Sequence, residues 1–422
     1  MTQTSDFEFQ TAPSPAGIGV PQLTAYYLSN LIGAGIFVLP ALAQETAGSW
    51  SMAAWLLMAL CAGPMAWVMG RISIDFPNKN GILAFVQSVV SPRVSRGLAL
   101  LIVAVMIIGN PIMGVISARY AIAAFALPET WLYQLAVAFM CLSIAFNLLG
   151  LRNSAKAQTV LVAGAMGTLI VLSLLSLANT PVLVPQTSTF AADGFFAAIG
   201  ICFFAYLGWE NVATIAPDVD RPERTFPRAL LIAVPLVGLV YLLIALALLL
   251  TTQAAGGLGG NLAVVDHLVR PFNNPQLSMA VNLLALIVVI LSTNAWVLSA
   301  ARLLSATVRD GHLPTALAEA DGSAGQRTLI TLALSYAAVI AVMAAFGGAE
   351  DLIVPLVSAG FLLVYMVALY GAVIHYRNSW TGRSAVFALV LVVFFAASVP
   401  VETAIVITLF LLFLVIPSTP PE

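Results

Sequence analysis

Charge is scarce in this chain. Asp, Glu, Lys and Arg make up 8% of 422 residues, while 61% are hydrophobic and the mean hydropathy is +1.02. A soluble domain carries about 25% charged residues. No water-soluble fold of this length could hide so much apolar surface, which leaves a polytopic helical membrane protein. The net charge of −2 says little about partners, and no nucleic-acid partner is expected. Cysteines are few. Cys61, Cys141 and Cys202 all fall inside apolar runs, so they read as packing residues and not as a disulfide framework. His267, His312 and His375 are dispersed, without metal-ligand spacing and without the His/Asp or Glu cluster that a membrane-embedded enzyme needs. There is no Gly-x-x-x-x-Gly-Lys-Ser/Thr run, so no ATPase is expected. The start, Met1-Thr-Gln-Thr-Ser-Asp-Phe-Glu-Phe-Gln10, lacks a positive n-region and does not read as a cleavable signal peptide. No metal, cofactor or enzymatic activity is expected.

What is there is a series of long apolar runs. About 20 apolar residues cross a bilayer as a helix. Twelve segments qualify: 19–43, 50–72, 96–127, 131–150, 157–179, 193–216, 227–252, 276–308, 326–346, 349–376, 382–398 and 400–417. Positive residues favour the cytoplasm. The connections after the even-numbered segments hold 14 of the 16 Lys and Arg residues, with only Arg119 and Arg270 on the other side. Both termini are therefore expected in the cytoplasm. No soluble domain is expected: 1–18 is a cytoplasmic tail, 19–376 the core, and 377–422 two last helices and a tail. The connection 253–275, with Gly256-Gly-Leu-Gly-Gly260, reads as flexible.

Two runs are interrupted. The first contains Asn30-Leu-Ile-Gly33-Ala34-Gly35-Ile36-Phe-Val-Leu-Pro40, and the sixth contains Tyr206-Leu-Gly208-Trp209-Glu210. A carboxylate at such depth costs at least ~2.5–3.5 kcal/mol, so intramembrane acids tend to face polar cavities and carry function. The two interruptions lie five segments apart, so they start on opposite sides of the membrane. That is the layout of an inverted repeat, 19–179 against 193–376. An unwound turn frees backbone N–H and C=O groups, which lipid tolerates only where they line a cavity. N–H groups at a half-helix N-terminus suit a carboxylate, and C=O groups at the opposing end suit an ammonium. A zwitterion needs both. Helix packing by small residues is the alternative reading of Gly33-Ala34-Gly35.

Gly33-Ala34-Gly35-Ile36-Phe with Pro40 resembles the first-helix motif of the amino acid–polyamine–organocation transporters. Phe203-Phe-Ala-Tyr-Leu-Gly208-Trp-Glu210, followed by Asp220-Arg-Pro-Glu-Arg-Thr-Phe-Pro227-Arg-Ala, resembles their sixth helix and its exit. Ser299-Ala-Ala-Arg302 and Arg309-Asp-Gly-His-Leu-Pro314 resemble the exit of their eighth, and Phe76-Pro-Asn-Lys-Asn-Gly81 stands where Pro-x-x-Gly-Gly is frequent. The resemblance runs from about residue 16 to 417. It implies an all-α, LeuT-like fold of twelve transmembrane helices with a 5+5 inverted repeat and discontinuous helices 1 and 6. The short length and the Pro222–Leu230 stretch look most like bacterial exporters of methionine and branched-chain amino acids. That implies a secondary transporter of the bacterial inner membrane whose partners are an amino acid, the lipid bilayer and, as a candidate coupling ion, the proton. Two departures stand out. Ala216-Pro217-Asp218 replaces the Glu-Glu or Ser-Glu of many relatives, and 157–179 has no Lys where some proton-coupled relatives place an amine.

Within this frame Gly33, Ala34 and Gly35 are assigned to the substrate carboxylate, and Ile36 to the substrate site without a separate role. Phe203, Ala205 and Tyr206 are assigned to carbonyl contacts with the amine and to the pocket wall, Trp209 to the wall or a gate, and Gly208 to the substrate site. Glu210 is assigned to gating or coupling. Ordinary packing is the alternative for the aromatics, and a satisfied structural carboxylate the alternative for Glu210. Asn110, Asn294 and Trp296 read as structural, since buried amides also bridge helices. An importer or exchanger of another amino acid or amine remains the nearest rival, with a channel or membrane-embedded enzyme behind it.

Overall fold

A computed structural model describes residues 17–77, 81–149, 155–181, 187–259, 262–319, 321, 323–346 and 350–415. The described residues form helices α1 (Val20–Leu31), α2 (Leu39–Ala47), α3 (Ser51–Asp75), α4 (Ile82–Val89), α5 (Pro92–Gly109), α6 (Pro111–Phe125), α7 (Leu132–Leu148) and α8 (Ala155–Asn179) in the first part. The second part carries α9 (Ala192–Ala205), α10 (Pro222–Ala254), α11 (Val264–Val269), α12 (Pro275–Arg309), α13 (Gln326–Ala345), α14 (Glu350–His375), α15 (Trp380–Ser398) and α16 (Pro400–Val415). Helices lie on each of the twelve expected segments. Nine described stretches are long and apolar enough to cross a membrane.

The outside of the bundle is greasy. Leu60 on α3, Leu231 on α10, Leu334 on α13, Val390 on α15 and Leu412 on α16 are large and exposed. A water-facing protein rarely leaves so much apolar side chain uncovered, whereas a lipid-facing one needs it. Inside, α3 packs along α10, α2 against α9 and α12 against α6. Polar side chains stitch the interior: Asn147 donates from Nδ2 to Asn294 Oδ1 at 2.6 Å, joining α7 to α12, and the Ser358 hydroxyl on α14 donates to the Gly200 carbonyl of α9 at 3.0 Å.

Several boundaries differ from expectation for identifiable reasons. The expected segment 96–127 is two helices, because Pro111 has no N–H and its ring crowds the preceding turn. The expected segment 193–216 stops being α-helical after Ala205 and continues from Glu210 to Asp218 as a 3₁₀ helix. Within the expected flexible connection 253–275, α11 forms a helix with Val264, His267 and Leu268 fully buried, while 260–261 lie outside the described residues. The short α4 lies in what reads from sequence as a plain connection. Positions 78–80 of the Phe76–Gly81 stretch and the tail before residue 17 lie outside the described residues.

Candidate functional site

The helical ladder of α1 closes with Ile32 N–H on the Leu28 carbonyl at 2.8 Å. Glycine then loosens the chain. Ile36 and Val38 donate to the Gly33 and Gly35 carbonyls at 3.4 and 3.1 Å, three residues back instead of four, before α2 starts. The ladder of α9 ends the same way: Tyr206 and Leu207 donate to the Phe203 and Phe204 carbonyls at 2.9 and 3.2 Å. The last carbonyls of a helix have no partner inside it. Two such ends, from α1 and α9, therefore need donors from elsewhere.

The two breaks touch. Gly208 has φ +133°, which L side chains rarely adopt, and a β-carbon there would sit 3.3 Å from both Cβ and O of Asn30. Gly208 is thus the residue type that both the turn and the close approach require. Tyr241 of α10 reaches between the breaks. Its hydroxyl donates to the Leu31 carbonyl at 3.0 Å and lies 3.4 Å from the Ala205 carbonyl. On the far side of the first break, Tyr120 of α6 donates to the Phe37 carbonyl at 2.6 Å.

A cavity of about 60 Å³ opens at this junction, several times the ~10–15 Å³ that houses one water on the same measure. Asn30, Leu31, Gly33 and Gly35 line it from the first break, with Phe204, Ala205 and Leu207 from the second. The remaining wall comes from α2, α5, α6, α10, α12 and α14 and is mostly aliphatic or aromatic, including Met106, Met113, Trp296 and Phe361. Among the described residues, no Asp, Glu, Lys, Arg or His lines the cavity. The lining residues with polar side-chain groups are Asn30, Asn110, Trp296 and Tyr241, alongside residues of the two breaks. Such a surface has hydrogen-bonding groups for the two ends of a zwitterion and an apolar wall for its side chain.

Glu210 lies beside this cavity and does not line it. It is buried, accepts the Gly208 N–H at 3.0 Å, and accepts the hydroxyl of Tyr365 on α14. A carboxylate two residues after the break thus holds the turn itself and fastens it to another helix.

The structure brings Gly33, Gly35 and Ala205 together at the cavity. Ala34 lies in the same turn between the two glycines. Ile36 is buried in the core. Phe203 packs edge-on to Tyr365 at 5.7 Å and against Phe395 at 6.1 Å. Tyr206 stands behind the wall, its ring 5.5 Å from that of Tyr241. Trp209 is fully buried 5.5 Å from the Tyr27 ring. Asn110 lines the cavity while donating to the Tyr336 hydroxyl at 2.9 Å, so it also bridges helices. Sequence reasoning misses Tyr241, Phe204, Leu207 and Phe361. An apolar or aromatic position reads identically whether its helix turns it to lipid or to a cavity, and only Phe204 and Leu207, inside the interrupted run, carried any signal.

At one end of the bundle, charges and backbone tie the exits of these helices. Arg71 of α3 pairs with Asp75 at 2.9 Å and Glu223 at 2.8 Å, and the Tyr376 hydroxyl donates to Asp75 at 2.7 Å. Ile18 pairs with the chain after the second break, donating to the Asp218 carbonyl at 2.9 Å and accepting from Asp220 N–H at 3.1 Å. In the connection before α13, burial pushes the Glu319 carboxyl up, but the Thr328 hydroxyl and the N–H groups of Thr328 and Arg327 outweigh it and bring the carboxyl down to about 2.

The family model described as amino acid permease matches residues 18–422. The L-methionine/branched-chain amino acid exporter YjeH of Escherichia coli is 32% identical over 228 residues, 53% of this chain and 54% of that protein. An amino acid permease of Bacillus subtilis, YecA, is 25% identical over 330 residues, 78% of this chain and 76% of that protein. The branched-chain amino acid permease BcaP of Lactococcus lactis is 25% identical over 375 residues, 82% of this chain and 78% of that protein. The match with the first of these spans about half the length of each protein. The chain belongs to the amino acid permease family, and is a multi-pass membrane protein.

Proposed function

From membership of the amino acid permease family, we propose that this protein is a secondary transporter of neutral, apolar amino acids, exporting L-methionine and the branched-chain amino acids by alternating access. One observation carries the reading: a cavity at the meeting of two interrupted helices, walled by aliphatic and aromatic residues and, among the described residues, by no charged side chain. A charged substrate side chain would enter it without a counter-charge, at high cost in an apolar surround. A thioether or branched aliphatic side chain gains from burial at about 25 cal/mol per Å². The names of the Escherichia coli and Lactococcus lactis relatives support the same substrate class.

In this reading the N–H groups of Gly33, Ala34 and Gly35 hold the substrate carboxylate at the start of the second half-helix. The Leu31 and Ala205 carbonyls, at the ends of α1 and α9, hold the ammonium. Their dipoles favour these charges. Glu210 couples the second break to α14 through Tyr365, so that movement at the site passes to the bundle, and the proton is the candidate coupling ion. Twelve spans in a 5+5 inverted repeat, in a bacterial inner membrane with both termini cytoplasmic, complete the proposal. The distribution of Lys and Arg supports that orientation.

A screen of radiolabelled amino acids in proteoliposomes, with and without a pH gradient, tests it. L-methionine, L-leucine, L-isoleucine and L-valine are expected to move and L-arginine and L-glutamate are not. Preferential movement of a charged amino acid would overturn the substrate class. In cells, overexpression is expected to lower internal methionine and leucine; unchanged pools with faster uptake would favour an importer.

A further inference from the structure

We propose that Tyr241 is a positioning residue for the substrate ammonium, holding the end carbonyls of the two interrupted helices at the spacing that an ammonium bridges. The inference rests on the amino acid reading above and concerns a residue outside both breaks.

Tyr241 is the residue that α10 contributes to the cavity lining. The hydroxyl has one hydrogen and two acceptors within reach, Leu31 O at 3.0 Å and Ala205 O at 3.4 Å. Both acceptors belong to residues lining the cavity. Each is the last residue of a helix, α1 in one case and α9 in the other. Each end is the negative pole of its half-helix, so the two repel unless a donor stands between them. The neighbouring carbonyls of Phe203 and Phe204 are already engaged by Tyr206 and Leu207, which leaves Ala205 O to face Tyr241.

The ring fixes where that donor stands. Tyr241 is fully buried and stacks on Trp55 with centroids 4.7 Å apart and planes 9° from parallel. Tyr206 flanks the same ring at 5.5 Å. The phenol oxygen therefore keeps its place, and the two helix ends are held relative to a rigid point on α10. One shared hydrogen satisfies one carbonyl well and the other poorly. An ammonium has three hydrogens and a full charge, so it satisfies both. The arrangement is thus set for a primary ammonium and gives no advantage to a solute lacking one.

Tyr241→Phe removes the hydroxyl and keeps the stacked ring. In proteoliposomes loaded with L-leucine, the variant is expected to show a KM raised roughly tenfold, the scale of one lost hydrogen bond. Its kcat should stay within about twofold of wild type, and its melting temperature without ligand should fall by a few degrees, because the Leu31 and Ala205 carbonyls lose their donor. Competition by 4-methylpentanoate, which is leucine without its ammonium, should change far less, so preference for leucine over that acid should fall by about the same tenfold. An unchanged KM would overturn the assignment. So would equal weakening of both compounds, or a variant that no longer folds, since either result marks Tyr241 as a packing residue. Failure of the wild type to move any neutral amino acid would instead remove the underlying functional reading, whatever the variant does.

Discussion

The hydroxyl of Tyr365 donates to the carboxylate of Glu210, joining α14 to the turn that interrupts the sixth expected span. Gly208 N–H donates to the same oxygen at 3.0 Å. Glu210 thus joins the backbone of the break to a helix far away in sequence, which explains how a carboxylate is tolerated so deep in the bundle. Glu210→Gln is expected to lower L-leucine flux at least ~10-fold, since a buried bond to a charged group contributes about 1.5–3 kcal/mol. Membrane insertion should be unchanged. Wild-type flux in proteoliposomes would sink the coupling role.

Tyr365→Phe probes the other partner. It leaves a buried carboxylate short of a donor, which costs about 1–3 kcal/mol. The melting temperature in detergent should fall, and flux should fall with it. The double variant with Glu210→Gln should lose less than the sum of the singles, because the two residues share one interaction. Full additivity would show that they act separately.

Gly208→Ala tests the contact between the breaks. The backbone there, at φ +133°, strains any L side chain, and the new methyl would press on Asn30. Positions held in such backbone regions cost on the order of 1–3 kcal/mol. Substrate affinity should drop because the cavity lies at the displaced contact. Unaltered leucine affinity would mean that the breaks need not touch.

Glu319 caps the start of α13. Its carboxyl is depressed from 4.5 to about 2, so its contribution is full above about pH 4.5 and is lost as pH falls from there toward 2. Glu319→Ala should cost about 1–2 kcal/mol at neutral pH, the scale of a lost cap. The difference from wild type should shrink as pH falls below 4.5. A pH-independent gap in melting temperature would contradict the capping account.

The Arg71–Glu223 pair should do little for stability by itself. Glu223 is 62% exposed, and exposed pairs contribute about 0–1 kcal/mol. Glu223→Gln is expected to shift the melting temperature by no more than about 2–3 °C in a chain of this size. A larger fall would show that Arg71, Asp75 and Tyr376 work as one network.

How much of this was legible in sequence follows from contrast. Gly33, Gly35, Gly208 and Glu210 stand out because lipid-buried runs seldom contain an acid or a cluster of glycines, so both breaks were visible. The wall was not. Leu31, Met106 and Phe361 are ordinary membrane-helix residues, and nothing in their type tells a cavity face from a lipid face. Tyr241 sits in the uninterrupted apolar run of α10, and its meaning arises only when α1 and α9 end on either side of it. Asn110 shows the converse limit. It reads as a helix-bridging amide, and it does bridge to Tyr336, yet it also faces the cavity. The 3₁₀ course of Glu210–Asp218 was hidden because residue pattern over nine positions does not separate a 3₁₀ from an α course.

The central claim is that the space between the breaks receives the amino acid. Gly33 lines that space, and a β-carbon there would approach nothing closer than the Ser29 carbonyl at 3.9 Å. Gly33→Val therefore adds bulk at the cavity wall, with a β-carbon that meets no close neighbour. L-leucine and L-methionine flux from loaded proteoliposomes, measured for wild type and this variant at matched amounts of folded protein, is the most direct test. The account predicts flux for the wild type and near-complete loss for Gly33→Val at an unchanged melting temperature. Undiminished flux through the folded variant would place the substrate elsewhere.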